Sequence, residues 1–260
     1  MPIVFTGKGT PITAADVQSA AAALGGDVAS LWSLVAVETS GFGFLGNRRP
    51  QILFERHIFH RRTGGKYDQA DPNISNSTPG GYFGGAAEYG RLEKAMTYDE
   101  QAALESASWG LGQVMGYNAR TAGFADVHAM VNAMIAGEGA HLRAVANFIV
   151  ANPPLRAAFL ARDWAKVAFY YNGANYAENH YDAKLEQHYT VFSTPANRPD
   201  LDIRTAQACL IYLQYLAGGA DGLIGMQTRA ALLAFRKTKN LPAGELDADL
   251  LTRLRIDADI

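Results

Sequence analysis

The sequence has little cysteine, no excess of either charge and no long apolar run. Its 260 residues include one cysteine, Cys209, so a disulfide framework within the chain is excluded. With 23 basic and 25 acidic residues, neither a basic surface for nucleic acid nor a polybasic segment for an anionic membrane is expected. The most apolar stretch, 28–37, contains Ser30 and Ser33 and is too short to span a bilayer.

The beginning of the chain lacks the pattern of a secretory signal. Residues 1–8 contain neither the basic segment nor the apolar run that follows it in such signals. The single cysteine also suits a reducing compartment. We therefore expect a protein that stays in the cytoplasm where it is made, unless a separate route exports it.

Apolar spacing and capping residues predict a mainly helical chain. Thr13 and Asp16 have the spacing of a capping box before a helix at 14–24, and Asp27 precedes an apolar helix at 28–39. The same signals predict further helices at 98–107, 127–136, 138–151, 163–170 and 178–192, with Thr97, Asp126 and Asp163 as N-caps. The apolar residues cover nearly every face of the helix at 28–39, which predicts that it is central and buried.

Two segments interrupt the helices. Residues 66–85 are rich in Asn, Ser, Pro and Gly and predict a long loop bordering a cleft. The segment 193–199, Ser-Thr-Pro-Ala-Asn-Arg-Pro, is typical of a linker. We therefore predict a domain at 1–192, a linker at 193–199 and a small helical domain at 200–260.

Glu38 is the first candidate for a catalytic acid. It lies near the C-terminal end of the apolar helix, on one face with Leu31, Leu34 and Val35. Apolar surroundings and the negative end of a helix dipole both raise the pKa of a carboxyl group. An acid with such a pKa keeps its proton near neutral pH, which cleavage of a glycosidic bond requires. The alternative is a residue at a fraying helix end that points into water.

Glu55 is the second candidate. It ends a predicted strand at 51–55, and because side chains alternate along a strand, it faces a cleft or solvent if Ile52 and Phe54 are core. Two carboxylates flanking the scissile bond are the usual requirement of glycosidases. The alternatives are a structural pair between Glu55 and a nearby arginine, and Glu105 as the second carboxylate.

The histidines near Glu55 make a weak metal pattern. His57 and His60 have the spacing His-x-x-His, but a hydrolytic zinc site needs a third ligand, and the other histidines show no zinc pattern. No Gly-rich phosphate loop follows a strand. Cys209 lies in a helical pattern and is predicted to be core. We expect neither a metal nor a cofactor.

Three short motifs resemble those of goose-type lysozymes and lytic transglycosylases. They are Glu38-Thr39-Ser40-Gly41, Ser108-Trp-Gly-Leu-Gly-Gln113-Val-Met115 and Phe169-Tyr-Tyr171-Asn172-Gly173. The resemblance implies that Glu38 is the acid. It implies that the substrate sugars are bound by Ser108, Gln113, Met115, Tyr171 and Asn172.

A longer resemblance is to the phage-type N-acetylmuramidases of modular endolysins. It rests on residues 37–44 and 49–59 and covers about residues 10–192. It implies a mainly α, lysozyme-like catalytic domain with a small β element, and cleavage of the β-1,4 bond between N-acetylmuramic acid and N-acetylglucosamine, with host cell lysis as the result. It also supports Glu55 as a catalytic residue. The interval from Glu38 to Ser108 is longer than in simple lytic transglycosylases, and Thr39 stands where Ser is common.

Residues 200–256 resemble a three-helix peptidoglycan-binding domain. In that resemblance Asp221, Gly222 and Gly225 shape a turn between helices, because glycine permits unusual backbone geometry. The implied partner is the peptidoglycan glycan strand, with no nucleic acid, no stable membrane association and a monomeric chain. The implied location is the host cytoplasm until a holin pore opens.

Three alternative functions stay open at this point. A lytic transglycosylase would form a 1,6-anhydro product without water. A catalytically silent protein would only bind the wall. A metal-dependent peptidase or amidase would lose activity with a chelator.

Overall fold

The computed structural model describes residues 3–39 and 41–260. Its ten N-terminal helices are α1 (Ala14–Leu24), α2 (Val28–Thr39), α3 (Arg56–Thr63), α4 (Glu88–Met96), α5 (Glu100–Glu105), α6 (Val127–Ala136), α7 (Glu138–Val150), α8 (Pro153–Ala161), α9 (Trp164–Asn172) and α10 (Tyr181–Phe192). The C-terminal helices are α11 (Leu201–Tyr212), α12 (Met226–Thr238) and α13 (Ala248–Asp257). The strands are β1 (Ile52–Phe54), β2 (Ala107–Trp109) and β3 (Val114–Met115). The predicted fold class, mainly helical with a small β element, is confirmed.

Most predicted helix starts are confirmed by their caps. The Thr13 side chain accepts from the Asp16 backbone N–H at 3.2 Å, and the Asp16 carboxylate binds back to Thr13, which completes the capping box of α1. Asp126 and Asp163 cap α6 and α9 through the third residue of each helix.

One prediction about helix boundaries is wrong. Thr97 was predicted to start a helix but closes α4, a helix that the sequence patterns did not reveal. Asp99 caps the next helix instead, because its carboxylate accepts from the Ala102 N–H at 2.9 Å. Asn152 with its two prolines ends α7 as predicted and also starts α8, because proline suits the first turn of a helix.

Helix α2 is the central buried helix of the N-terminal region, as predicted. Its residues from Ala29 to Val35 are buried, and it packs chiefly against α10. Burial of each Leu, Val or Trp side chain stabilises the fold by about 1.5–3 kcal/mol. This packing directs the C-terminal end of α2, with Glu38, toward the start of α10.

The three strands form one antiparallel sheet in the order β1-β2-β3. Leu53 pairs with Ser108, and Ser108 pairs with Met115. Ile52 and Phe54 are buried in the core, which confirms the alternation predicted for this strand. The other face of the sheet and the residue after β1, Glu55, are therefore turned away from the core.

The C-terminal helices α11–α13 have a core of their own around Leu210, Phe235 and Leu254. A separate apolar cluster joins this region to the N-terminal region, because Phe42 and Phe44 pack with residues of α11 such as Ile211.

Within the described residues, no single helix is long and apolar enough to cross a membrane. Two pairs of helices joined at a sharp bend have the length and apolar composition of a membrane span, which is weak evidence on its own.

Candidate active site

One cleft of about 980 Å³ contains all seven residues that the sequence predicted for catalysis and sugar binding. They are Glu38, Glu55, Ser108, Gln113, Met115, Tyr171 and Asn172. The end of α2 and the end of β1 supply the two predicted carboxylates, and Glu178 is a third carboxylate in the lining. The β2–β3 hairpin forms one wall, and the end of α9 with the start of α10 forms another. Residues 70 or more positions apart in the chain therefore meet in one groove.

The Glu38 carboxyl group is enclosed at the end of α2. Its Oε1 is shielded from solvent and has no hydrogen-bond partner among the described residues. Burial raises the pKa of Glu38 to about 8, while the neighbouring Asn172 amide and Tyr181 hydroxyl lower it in part. The group therefore holds a proton at neutral pH. The alternative of a solvated residue at a fraying helix end is wrong.

Two tyrosines surround Glu38. The Tyr171 hydroxyl donates to the Gly112 carbonyl at 2.7 Å, and Phe148 contacts its ring edge-on, so the ring is held in place. Burial, followed by the charge of Glu38, raises the pKa of both Tyr171 and Tyr181. Both tyrosines therefore stay neutral, and while the Tyr171 hydroxyl donates to Gly112, that of Tyr181 can donate in the cleft. Tyr181 was not among the predicted site residues.

Glu55 lies across this cleft in polar surroundings. The Tyr82 hydroxyl donates to Glu55 Oε2 at 2.7 Å, and His57 Nδ1 lies 3.1 Å from the same oxygen. Glu55 also immediately precedes α3, and the N-terminus of a helix favours negative charge. Glu55 therefore has polar neighbours, whereas the Glu38 carboxyl group is enclosed. The predicted alternative, a pair with a nearby arginine, is absent from the ion pairs of the described residues.

A buried ion pair holds the loop that carries Tyr82. Glu88 Oε1 accepts from the backbone N–H groups of Phe83 and Gly84 at 2.6 and 3.0 Å. Arg91 binds Glu88 Oε2 at 2.9 Å and donates to the Phe54 carbonyl at 2.8 Å. The pair therefore joins the loop to β1 and brings Tyr82 onto Glu55. The loop was predicted to border a cleft, but its tyrosine and the ion pair were missed.

Ser108 and Gln113 bind each other on the hairpin wall. The Ser108 hydroxyl donates to Gln113 Oε1 at 2.8 Å, and Gln113 Nε2 donates to the Gly110 carbonyl at 2.8 Å. Gln113 adopts a left-handed backbone with φ 48°, which this amide network stabilises. Both side chains line the cleft, so they shape its wall. Their direct hydrogen bonds to a sugar stay a prediction.

Thr39 connects the end of α2 to the same hairpin. Its hydroxyl donates to the Leu111 carbonyl at 3.0 Å. The Leu111 N–H donates to His141 Nδ1 at 3.0 Å, and His141 Nε2 donates to the Met134 carbonyl. Burial lowers the pKa of His141, so the ring stays neutral and keeps its acceptor nitrogen. The segments that carry Glu38 and Gln113 are thus fixed relative to each other.

Several other candidates lie outside the cleft. Glu105 pairs with Arg62 and accepts from Gln101 Nε2 at 3.1 Å, so it has a structural role. His60 binds Asp68 at 2.7 Å, whereas His57 Nδ1 lies near Glu55 Oε2. Among the described residues, no group of three His, Cys, Asp or Glu side chains could hold a metal.

The predicted turn of the C-terminal region lies before α12. Asp221 Oδ1 accepts from the Leu223 N–H at 2.9 Å and from Gln207 Nε2 at 2.8 Å. Gly222 has φ 75°, and an added Cβ there would lie 2.7 Å from Pro199 Cβ. Gly225 is the N-cap of α12. Cys209 is buried in the adjoining core.

Comparison with known proteins gives two family matches as well as matches among solved structures. Residues 27–193 match the family described as Muramidase, N-acetylmuramidase. Residues 199–254 match the family described as a peptidoglycan binding domain. No curated protein matches the chain.

Among solved structures, the crystal structure of Burkholderia AP3 phage endolysin is similar to this chain. The two are 42% identical, with a TM-score of 0.66, over 71% of this chain and 72% of the other. Together with the cleft that contains the expected carboxylates, these matches identify a peptidoglycan-degrading enzyme. The chain belongs to the N-acetylmuramidase family and has a C-terminal peptidoglycan-binding domain.

Proposed function

We propose that the protein hydrolyses the β-1,4 bond between N-acetylmuramic acid and N-acetylglucosamine in peptidoglycan. The observation that carries this proposal is the enclosed carboxyl group of Glu38, whose pKa of about 8 keeps it protonated at neutral pH. A glycosidic oxygen needs such an acid in order to leave. The cleft of about 980 Å³ is at the upper end of the volumes usual for ligand sites, which suits a section of a polymer.

The two carboxylates have different roles in the proposed mechanism. Glu38 donates its proton to the glycosidic oxygen as the bond to the muramic acid ring breaks. Positive charge then develops on that ring. The Glu55 carboxylate stabilises this charge or activates the attacking water. Tyr171, Asn172 and the hairpin wall orient the sugars.

Glu38→Gln tests the role of the acid. The amide cannot donate the required proton, so we expect a loss of about 10²–10⁴-fold in the release of reducing ends from purified peptidoglycan. Glu105→Gln is the matched control, because Glu105 lies outside the cleft. The proposal fails if folded Glu38→Gln clears cell walls at the rate of the control.

A lytic transglycosylase reaction is the second candidate. Glu55 Oε2 already accepts a hydrogen bond from Tyr82, whereas Glu38 Oε1 has no partner among the described residues. That contrast suits a reaction in which Glu38 alone acts as acid and then base. Mass spectrometry of the products separates the two reactions, since 1,6-anhydro products lack the elements of one water molecule.

We also propose that the C-terminal domain holds the enzyme on the wall. The proposed division is a catalytic domain at 1–192, a linker at 193–199 and the wall-binding domain at 200–260. Attachment to an insoluble polymer raises the local concentration of cleavable bonds. Full-length Glu38→Gln should sediment with purified walls without cutting them. If it stays in the supernatant, this role is wrong.

The biological setting is proposed to be a phage endolysin that lyses its host. It would wait as a monomer in the host cytoplasm, without a nucleic-acid or membrane partner, until a holin pore admits it to the wall. The likeness to a phage endolysin supports this setting. Expression inside bacteria should leave the cells intact until the membrane is permeabilised, and light scattering should give the mass of one chain. Lysis without permeabilisation would contradict the proposal.

A further inference from the structure

Arg204 of the C-terminal domain extends into the catalytic domain. It lies on α11, and its side chain is fully buried. Its guanidinium donates to the Gly41 carbonyl through Nε at 3.2 Å and also through Nη2. The same group forms two bonds with Glu138 of α7, one of them from Nη2 to Oε1 at 2.7 Å. One side chain thus binds two elements of the other domain.

Glu138 passes this connection to the backbone near the active site. Its Oε1 accepts from the Gly43 N–H at 2.7 Å, and its Oε2 accepts from the Ile12 N–H at 3.1 Å. Gly41 and Gly43 follow Glu38 by only three and five positions. Arg204 and Glu138 therefore bind the chain at the point where it leaves the helix that carries the proposed acid.

The backbone of the C-terminal domain also touches this segment directly. Gly41 has φ 86°, and an added Cβ there would lie 3.2 Å from Asp221 Cα and 3.3 Å from the Ala220 carbonyl oxygen. A side chain at Gly41 would crowd this backbone and would need a left-handed conformation that side chains rarely adopt. The chain after Glu38 is therefore held from two sides by the C-terminal domain.

Stability alone is a poor reason for a buried ion pair at this interface. Desolvation of two charges often cancels their attraction, and apolar replacements are frequently neutral or stabilising. Other contacts already join the domains, among them the Phe42–Phe44 cluster on α11 and the Tyr212 hydroxyl, which donates to the Gly9 carbonyl at 2.7 Å. What the planar guanidinium adds is fixed direction, since its two edges bind two acceptors at once.

We propose that Arg204 is a positioning residue for Glu38, so that the C-terminal domain completes the active site as well as binding the wall. This inference rests on the proposed role of Glu38 as the acid. By holding Gly41 and Glu138, Arg204 keeps the end of α2 in place. The Glu38 carboxyl then stays enclosed between Asn172, Tyr171 and Tyr181.

The test compares full-length variants on a soluble, uncrosslinked peptidoglycan glycan oligosaccharide, which does not require anchoring to a wall. Arg204→Met removes the hydrogen bonds to Gly41. Arg204→Lys keeps the positive charge but lacks the planar guanidinium that binds two acceptors at once. Tyr212→Phe is the matched control, because it removes a different bond between the same domains. Arg204→Met should lower kcat by about tenfold or more, as a displaced catalytic group does, with little change in KM. Tyr212→Phe should leave kcat within about twofold.

The pH profile separates positioning from loss of stability. Glu38 faces Tyr171 of α9 and Tyr181 of α10, and two further carboxylates, Glu55 after β1 and Glu178 before α10, line the same cleft. If the Glu38 carboxyl becomes hydrated, its pKa falls, because hydration favours the ionised form. The alkaline limb of the profile, which is the fall of kcat at high pH as Glu38 ionises, should then move to lower pH in both Arg204 variants. It should not move in Tyr212→Phe. A loss of folded protein alone would scale the whole profile without moving this limb.

Two results would overturn the inference. One is an equal kcat for Arg204→Met and Tyr212→Phe after correction for the folded fraction, measured by circular dichroism. The other applies if Arg204→Met does not fold. In that case, the inference is overturned if Arg204→Lys has the kcat of the wild type and the same fall of kcat at alkaline pH. Glu38→Gln is measured in the same assay. If Glu38→Gln is active, the proposed function fails. If Glu38→Gln is inactive while the Arg204 variants match the control, only this inference fails.

Discussion

Glu38 and Glu55 line one cleft but have opposite surroundings. Glu38 ends an apolar helix, its Oε1 has no partner among the described residues, and its pKa is raised to about 8 by burial. Glu55 begins a helix, accepts from Tyr82 and lies beside His57. The first environment favours the protonated acid, whereas the second places a carboxyl group beside polar partners at the start of a helix. Two identical carboxyl groups are thus suited to opposite halves of a glycosidase reaction.

Among substitutions that affect Glu55, Glu55→Gln should cause the largest loss of activity. The amide removes the negative charge that would stabilise the sugar cation, so kcat should fall by about 10²–10⁴-fold. The alkaline limb set by Glu38 should remain if any activity is measurable. Release of reducing ends is the measurement, with Glu105→Gln as the control. Activity equal to the control would remove Glu55 from the mechanism and favour the transglycosylase.

The raised pKa of Glu38 also predicts a pH-dependent cost in stability. Below pH about 4.5 the group is protonated in both states, and as the pH rises toward about 8 only the unfolded state loses the proton. Stability is therefore lost over that window, on the order of a few kcal/mol at pH 7. Glu38→Gln has no proton to lose, so its stability relative to the wild type should increase from pH 5 to pH 8.

Urea unfolding of both proteins at several pH values measures this difference. Activity of the wild type should fall above pH about 8, where Glu38 ionises. A stability difference that stays constant from pH 5 to pH 8 would mean that Glu38 is solvated and ionised in the folded protein. The contrast between the two carboxylates would then be lost.

Tyr82→Phe tests whether the loop tyrosine holds Glu55. A hydrogen bond to a charged group contributes about 1.5–3 kcal/mol, so kcat should fall by roughly tenfold. Tyr117→Phe is a matched control, because both tyrosines line the cleft and are 45% exposed, but no hydrogen bond of the Tyr117 hydroxyl occurs in the described structure. If both variants lose activity equally, the hydroxyl of Tyr82 is not what orients Glu55.

Local patterns predicted the carboxylates, because each depends on its own helix or strand. Glu38 follows an apolar helix and Glu55 follows a strand, and both features are visible over about ten residues. Several partners that hold these groups were missed, since they come from distant parts of the chain. Tyr82 is 27 positions from Glu55, and Arg204 is 66 positions from Glu138. Such pairs depend on how loops and domains pack, which periodicity does not reveal.

The three-helix pattern of the C-terminal domain likewise gave no sign of its contact with the active site. Arg204 follows Asp200, the N-cap of α11, by one turn and reads as an ordinary helical arginine. Only the packed structure shows that this face of α11 covers Glu138 and Gly41. A module identified by its own motif can therefore have a second role that depends on its neighbour.

Substitutions at Thr39, next to Glu38, should have the smallest effect on activity and separate the role of one hydroxyl from that of one methyl group. Its hydroxyl binds the Leu111 carbonyl, and a serine could form the same bond, whereas a valine of similar shape could not. A neutral hydrogen bond contributes about 1 kcal/mol, so Thr39→Val should lower kcat by roughly threefold to fivefold. Thr39→Ser should stay close to the wild type, with the same alkaline limb. If Thr39→Ser loses as much as Thr39→Val, the γ-methyl packing of Thr39 rather than its hydroxyl maintains the end of α2, and the enclosure of Glu38 depends on shape more than on hydrogen bonding.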